Sequence, residues 1–356
     1  MTSGGRLEKL ARTQQLYTGE PFAVAKKVMR GRDNHHPIHS GRPQQAHLEA
    51  EVFAKLCSGG QWWAHPLGLS HVQSTTKSTV VHLDSHTTLS NGTSYARSGH
   101  ALDQLLPSAE PGVQVNRVVG LRVVGIDGSD LHLTLVDSEC HLVLRGIPGT
   151  DWAGELDECL RRYEKAEAPP LWQEPKLTTF EEAHIRDYPE MWKAERGLDW
   201  LGSALLRRIA IFQTASTAYS TRSWITGDEW IFELDTVRGI RLEHDVFLRH
   251  LLDPVWGLPL RIERQYCSCR PEQELGDSTY TLQCTYNLVH RGMNSGGLQL
   301  RFRHGPGVYT GGTRIKLGEL GAPFRWLDRV LPEHSPDVAS PSDASGAARS
   351  SDEESH

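Results

Sequence analysis

The chain has 356 residues, of which 38% are hydrophobic and 23% are charged, and this composition suits a folded protein of roughly two domains. Its formal net charge of −6 argues against a protein that coats nucleic acid, and no apolar run approaches the ~18 residues that a membrane-spanning helix needs. The polar first residues lack a signal-peptide pattern, so we expect a soluble, cytoplasmic protein.

The N-terminal segment has the pattern of two short helices around a turn. The predicted helices cover about 7–17 and 22–30, with Gly19 suited to a C-terminal cap and Pro21 to a first turn. Residues 1–45 are therefore predicted to be a helical hairpin followed by a tether. Four of its cations are candidates for contact with a protein partner or with nucleic acid: Lys26, Lys27, Arg30 and Arg32.

Part of this hairpin resembles a known group of sequences. Residues 12–21, with the sequence RTQQLYTGEP, resemble the opening of an uncharacterised protein family of high-GC actinomycetes. The resemblance is confined to this region and supplies no catalytic residues. It implies a bacterial, cytoplasmic setting.

Charge is concentrated at the two ends of the chain. Residues 1–43 contain eight Lys or Arg against three acidic residues, whereas residues 332–356 contain six acidic residues against one arginine. The segment 332–356 is rich in Ser, Asp, Ala and Pro, and its few apolar side chains cannot offset the entropy of ordering. We predict that it is a disordered acidic tail.

The body of the chain shows an internal duplication. Residues 46–167 and 177–331 each have the pattern of an α-ββ-α-βββ-α unit, and the Pro-containing segment 168–176 joins them. The clearest match aligns Val81–Ser85 with Phe232–Thr236. The predicted fold class is α+β, with mainly antiparallel sheets in two copies of one unit, preceded by the short helical hairpin.

A His- and Asp-containing strand is the first candidate site. On a strand, His82, Asp84 and His86 point to one face, and their side chains are plausible metal ligands. However, the outer two lie roughly 13 Å apart along a strand, too far for one metal ion. The second copy has Glu233 and Asp235 at the matching positions, which favours a solvated strand face.

The cysteines form the second candidate. Cys267 and Cys269, with Cys284 and His290 downstream, have a pattern typical of zinc or redox sites. If a tight hairpin connects their strands, Cys267 faces Tyr280 and Cys284 lies ~13 Å away along the strand. That register excludes a shared metal and favours buried thiols, whereas a looser loop or a shifted register would restore the site. We therefore predict no metal site and no cofactor.

A glycine-rich segment with nearby arginines is the third candidate. Residues 304–314 contain four glycines, and backbone amides beside arginines can bind an anion. The arginines concerned are Arg301, Arg303 and Arg314. A connecting loop explains the same pattern.

Three functions are compatible with these features. The leading hypothesis is a non-enzymatic binding or assembly protein with a duplicated α/β platform and a basic N-terminal docking segment. The second is an enzyme whose site lies between the two repeats, with His65, His82, Asp84 and His86 as acid–base or metal candidates. The third is a DNA-binding protein that uses the N-terminal helices. A protein partner is expected, nucleic acid remains an alternative, and no membrane is expected.

Overall fold

The computed structural model describes most of the chain between residues 3 and 304. The described ranges are 3–31, 38–57, 66–84, 86–88, 94–109, 115, 117–189, 197–214, 218–236, 244–268, 283–292 and 296–304. Several predicted features lie outside the described residues: Arg32, His65, Cys269, Arg314, the side chain of His86, the last helix of the second unit and the tail 332–356. Among the described helices, none is both long and apolar enough to cross a membrane.

The N-terminal helices form the predicted hairpin and pack on the body. Helix α1 (Ser3–Thr18) and helix α2 (Phe22–Arg30) are connected at Gly19, whose φ of +78° favours glycine. The Tyr17 hydroxyl donates a 2.9 Å hydrogen bond to the His250 carbonyl, and the Tyr17 ring stacks on Trp256 at 5.8 Å. Tyr17 is buried, so the hairpin shares the core of the protein.

The described part of the first repeat contains three α-helices and seven strands. Its elements in chain order are α3 (Pro43–Cys57), β1 (Leu69–Ser74), β2 (Ser78–Leu83), β3 (His86–Thr88), β4 (Ser94–Ala96), α4 (Arg97–Leu105), β5 (Leu121–Asp127), β6 (Asp130–Leu135), β7 (His141–Arg145) and α5 (Trp152–Lys165). The Asp151 side chain caps α5 by accepting a hydrogen bond from the Gly154 amide. Strands β3 and β4 form a separate two-stranded sheet.

Helix α6 (Thr179–Asp187) lies in the range predicted for the second repeat and precedes the elements that match those of the first. The described elements of the second repeat are α7 (Asp199–Leu206), a 3-10 segment (Ile209–Thr214), β8 (Ala218–Thr226), β9 (Glu229–Thr236), α8 (His244–Leu251), β10 (Leu260–Tyr266), β11 (Gln283–His290) and β12 (Gly297–His304).

Both repeats build the same five-stranded sheet. The first sheet has the order β1-β2-β7-β6-β5, and the second has β8-β9-β12-β11-β10. In each sheet the second and last strands of the repeat pair in parallel (β2 with β7, β9 with β12), and every other neighbouring pair is antiparallel. The duplicated α+β architecture with mainly antiparallel sheets is therefore confirmed.

The two repeats share one hydrophobic core. Helix α3 of the first repeat packs against α7 of the second, and the Phe53 ring on α3 stacks on Phe232 of the second sheet at 5.9 Å. Gly202 on α7 permits this close approach, because a Cβ there would lie 2.8 Å from the Ala50 Cβ. A single cluster of buried apolar side chains runs through both sheets and these helices.

A buried ion pair also joins the repeats. The Arg207 guanidinium donates to both carboxylate oxygens of Glu49 at 2.6 Å, and both side chains are almost completely excluded from solvent. The hydroxyls of Ser203 and Thr79 and the amide of Gln45 donate to the same carboxylate. The Glu49 oxygens thus have several donors, as a buried charge requires.

The segment between the repeats is packed against the first repeat. Leu171 and Trp172 of the predicted linker 168–176 are buried, and the Leu171 amide donates to the Pro107 carbonyl. At the start of α6, the buried carboxylate of Glu181 pairs with Arg122 on β5 at 2.8 Å.

Candidate thiol–histidine site

The second repeat brings three metal-ligand side chains together at one end of its sheet. Cys267 follows the last residue of β10, Cys284 is the second residue of β11, and His244 is the first residue of α8. The Cys267 Sγ lies 3.5 Å from the Cys284 Sγ and 3.4 Å from the His244 Nε2. Within the described part of the chain, this is the one group of three or more His, Cys, Asp or Glu side chains close enough to share a metal ion.

Two distances between these atoms are close to those of tetrahedral zinc coordination, and all three atoms lie within 4.8 Å of one another. With Zn–S bonds of about 2.3 Å and Zn–N bonds of about 2.0 Å, neighbouring ligand atoms lie about 3.8 Å apart for two sulfurs and about 3.5 Å apart for sulfur and nitrogen. The two observed distances are 3.5 Å and 3.4 Å, so little movement is needed to bind the ion. Two thiolates and one imidazole form a soft ligand set that selects zinc over magnesium or calcium.

The orientation of the His244 ring favours metal binding through Nε2. Its other nitrogen, Nδ1, lies 2.8 Å from the Asp245 carboxylate and 3.0 Å from the Tyr286 hydroxyl. Metal-binding histidines commonly donate their second ring N–H to a carboxylate, which fixes the ring and leaves the opposite nitrogen for the metal. Burial lowers the pKa of His244, but contacts with Cys284, Cys267 and Asp245 outweigh burial and raise it to about 9.

The site is enclosed on the side of the core and open at one thiol. Cys284 is fully buried, and His244 and Tyr286 are nearly so, whereas Cys267 is exposed. The Phe302 ring on β12 packs 5.8 Å from the His244 ring and covers the core side. Small molecules and ions from solvent can therefore reach the site at Cys267.

The first repeat has no such site at the corresponding positions. When Val81 is aligned with Phe232, the two ladders place Gly128, Ser129 and Leu131 where the second repeat has Cys267, Cys284 and Tyr286. In the first repeat, the Trp152 indole instead donates to the Ser129 carbonyl, and a tight turn at Gly128 (φ +57°) connects β5 to β6. The architecture therefore forms without these ligands, and the site is specific to the second repeat.

The predicted register of β10 and β11 is wrong. Tyr266 pairs with Thr285, so the ladder continues to place Cys267 opposite Cys284 and not opposite Tyr280. The two thiols predicted to lie ~13 Å apart along the strand are therefore neighbours. His244 was missed altogether, because it is on a different element and its proximity depends on the tertiary fold.

The predicted His and Asp site is not assembled in the described part of the chain. His82 lies on β2, and its ring stacks on His71 of β1 with 3.6 Å between ring centroids. Burial, His71 and the Arg145 charge lower the pKa of His82 to about 3. Asp84 follows the end of β2, and its amide donates to the Gly68 carbonyl. Neither residue belongs to the group with metal-binding geometry.

The predicted anion-binding arginines are engaged within the second sheet. Arg301 and Arg303 bind the buried carboxylate of Glu233 at 3.2 Å and 3.0 Å, and Arg222 approaches it at 3.4 Å. Arg314 and residues 305–313 of the predicted anion site lie outside the described residues, so the pairing with Glu233 concerns the other two arginines of that prediction.

The N-terminal cations differ in their surroundings. The ammonium of Lys26 pairs with Glu8 at 3.1 Å, whereas Lys27 and Arg30 are exposed on α2.

In comparisons with known proteins, no protein-family model, no curated protein and no solved structure matches this chain.

Proposed function

We propose that this is a metal-binding protein that holds one zinc ion at His244, Cys267 and Cys284. The convergence of three soft ligand atoms at tetrahedral spacing carries this proposal. It departs from the sequence-based expectation of no metal site, and in it the duplicated body supplies a rigid frame that orients the ligands. The three ligands found among the described residues leave one position of a tetrahedral site for a further donor atom.

The structural frame explains why the ligands are held in place before the metal binds. Cys284 is fixed in a central ladder between β10 and β12, and His244 is held by Asp245, Tyr286 and the ring of Phe302. A site whose ligands are already ordered loses little conformational entropy on binding. We expect zinc to bind without a large change of fold.

Metal content and cobalt spectroscopy test the proposal. Protein purified under reducing conditions should retain about one zinc per chain by elemental analysis, and cobalt should give the intense near-ultraviolet absorption of thiolate–metal charge transfer. Cys284→Ser and His244→Ala should each weaken zinc binding at least ~10-fold. Cys140→Ser, a matched substitution of a buried thiol in the first repeat, should bind zinc like the native chain.

The result that would overturn the proposal is a reduced, folded protein that binds no zinc. Equal zinc affinity in Cys284→Ser, His244→Ala and the native chain would overturn it as well. Circular dichroism on each variant separates loss of the metal from loss of the fold.

A second candidate function is docking through helix α2. We base it on the exposure of Lys27 and Arg30 on a helix that packs against the body and is therefore presented rigidly. The partner would be an acidic protein surface or nucleic acid. Removing residues 1–45 is a poor test, because the deletion would also remove the buried Tyr17.

Charge reversal is the better test of docking. The double variant Lys27→Glu, Arg30→Glu keeps the packing of the hairpin and should abolish recovery of a partner from the native cell extract. The matched control Lys77→Glu changes an exposed lysine on the β1–β2 turn. For a nucleic-acid partner, binding should also fall steeply with added salt. Equal recovery with the double variant and the native chain would contradict the docking role.

A further inference from the structure

We propose that Cys267 and Cys284 form a reversible disulfide in the presence of a small-molecule disulfide, and that this oxidation releases the bound metal. The inference rests on the proposed metal-binding function and adds its regulation. It makes the second repeat a thiol-based redox switch whose reduced state holds zinc and whose oxidised state does not.

The geometry of the two strands permits this bond. The two sulfurs are 3.5 Å apart, and a disulfide needs about 2.05 Å, so small side-chain rotations close the gap. Directly opposed residues of an antiparallel pair have Cα atoms about 4.5–5.5 Å apart, which lies inside the disulfide range of about 4.4–6.8 Å. The β10–β11 ladder continues to that opposed position for Cys267 and Cys284.

The two thiols differ in access, and this difference orders the reaction. Cys267 is exposed and can meet a small disulfide, whereas Cys284 is fully buried and cannot. In the first step the Cys267 thiolate attacks one sulfur of the small disulfide, and the other half leaves as a thiolate. In the second step the Cys284 thiolate attacks the Cys267 sulfur of the mixed disulfide and expels the second half as a thiolate.

The step balances without another reactant. The two protein thiolates together lose two electrons, the small disulfide gains both and leaves as two thiolates, and zinc leaves as a divalent ion. The sulfurs of a disulfide carry no charge and are poor zinc ligands, so His244 would be the one strong ligand of the three left. Reduction by an excess of small thiol reverses the reaction and restores the site.

The experiment uses the full-length, zinc-loaded protein and oxidised glutathione as the probe. A chromophoric chelator reports zinc release, and mass spectrometry reports the disulfide. Trypsin is unsuitable because Arg270 precedes Pro271, so both cysteines remain in one peptide. A glutamyl endopeptidase cleaves after Glu272 and Glu274 and separates them. The same disulfide mapping is done on Cys269→Ser, which lacks the neighbouring thiol, so that a disulfide to Cys284 can be assigned to Cys267.

The expected result is release of the bound zinc together with formation of a Cys267–Cys284 disulfide. Treatment with dithiothreitol should restore both free thiols and the capacity to bind zinc. Cys284→Ser should accumulate a stable glutathione adduct on Cys267, because the resolving thiol is absent. Cys267→Ser should form neither the adduct at this site nor the disulfide. Cys140→Ser should behave like the native chain.

The outcomes separate this inference from the proposed function. If the reduced protein holds zinc but oxidised glutathione leaves Cys284 as a thiol, or links Cys267 to Cys269, the switch is wrong and the metal site stands. If the reduced protein holds no zinc, the metal-binding function is wrong, whatever disulfide forms. If the disulfide forms while zinc stays bound, the coupling between them is wrong.

Discussion

At the scale of single residues, the histidine pair on the first sheet shows how a strand face controls ionisation. His82 stacks on His71 of β1 and lies near Arg145 of β7 and Asp130 of β6. Burial, His71 and Arg145 lower the pKa of His82, and Asp130 opposes them only in part. The ring is therefore neutral in the folded chain over the whole physiological range.

His82 gives a prediction for stability against pH. Its pKa is about 3 in the folded chain and near 6.5 when unfolded, so stability is full above pH 6.5 and is lost as the pH falls toward 3. His82→Gln removes this group. In urea titrations from pH 7 to 4, the free energy of unfolding of the variant should fall less steeply than that of the native chain. The reason is that the variant takes up as much as one proton fewer on unfolding.

The control for this experiment is Val80→Ala on the same strand, which removes packing but no titratable group. It should lower the free energy of unfolding and leave its slope against pH like that of the native chain. Parallel curves for the native chain and His82→Gln would contradict the role assigned to His82.

At the scale of elements, the connection between β10 and β11 explains what the sequence could and could not predict about the site. The alternation of residues in Gln283–His290 predicts a strand and its buried face, and Cys284 was correctly predicted to be buried. Register is a different property, because it depends on how far each strand continues before the connection begins. A tight turn was assumed, and that assumption separated two thiols that are in contact.

The N-terminal hairpin shows the same division between local and tertiary information. The bounds of α2 agree with the prediction, since Pro21 and the apolar spacing from Phe22 are local signals. The packing of Tyr17 on Trp256 joins residues that are distant in sequence, and no local signal indicates it. The sequence predicted a helical hairpin followed by a tether and gave no indication that Tyr17 of the hairpin belongs to the core.

At the scale of the whole molecule, the Glu49–Arg207 pair is a test of how tightly the repeats are joined. Glu49→Gln leaves the buried guanidinium of Arg207 without its counter-charge, so we expect a loss of about 3–5 kcal/mol in the free energy of unfolding. Denaturation in urea measures it. Because one core spans both repeats, the loss should appear in a single transition for the whole molecule.

An exposed ion pair provides the matched control. Glu158→Gln removes the exposed partner of Arg161 and Arg162 on α5 and should cost about 0.5 kcal/mol or less. The double variant Glu49→Gln, Arg207→Met should lose less free energy of unfolding than its two single variants lose together, because only the double variant leaves no buried charge without its counter-charge. Separate unfolding transitions for the two halves would contradict the shared core.

The duplication was predictable because both repeats show the same order of helix and strand patterns in the sequence. The match of Val81–Ser85 with Phe232–Thr236 identified the second strand of each sheet, and these strands occupy equivalent positions. The parallel pairing of β2 with β7 and the contact of α3 with α7 were not predictable, because both depend on which surfaces meet after the strands form. For the same reason, His244 could not be connected with the cysteines.

The packing of Phe53 on the second sheet also affects how the chain folds during its synthesis. Phe53 leaves the ribosome long before Phe232, its stacking partner, has been translated. Within the described chain, β12 comes last and yet lies between β9 and β11 near the middle of its sheet. The apolar face of α3 in the nascent first half therefore stays exposed until the second half is synthesised. During that time it can bind chaperones or aggregate.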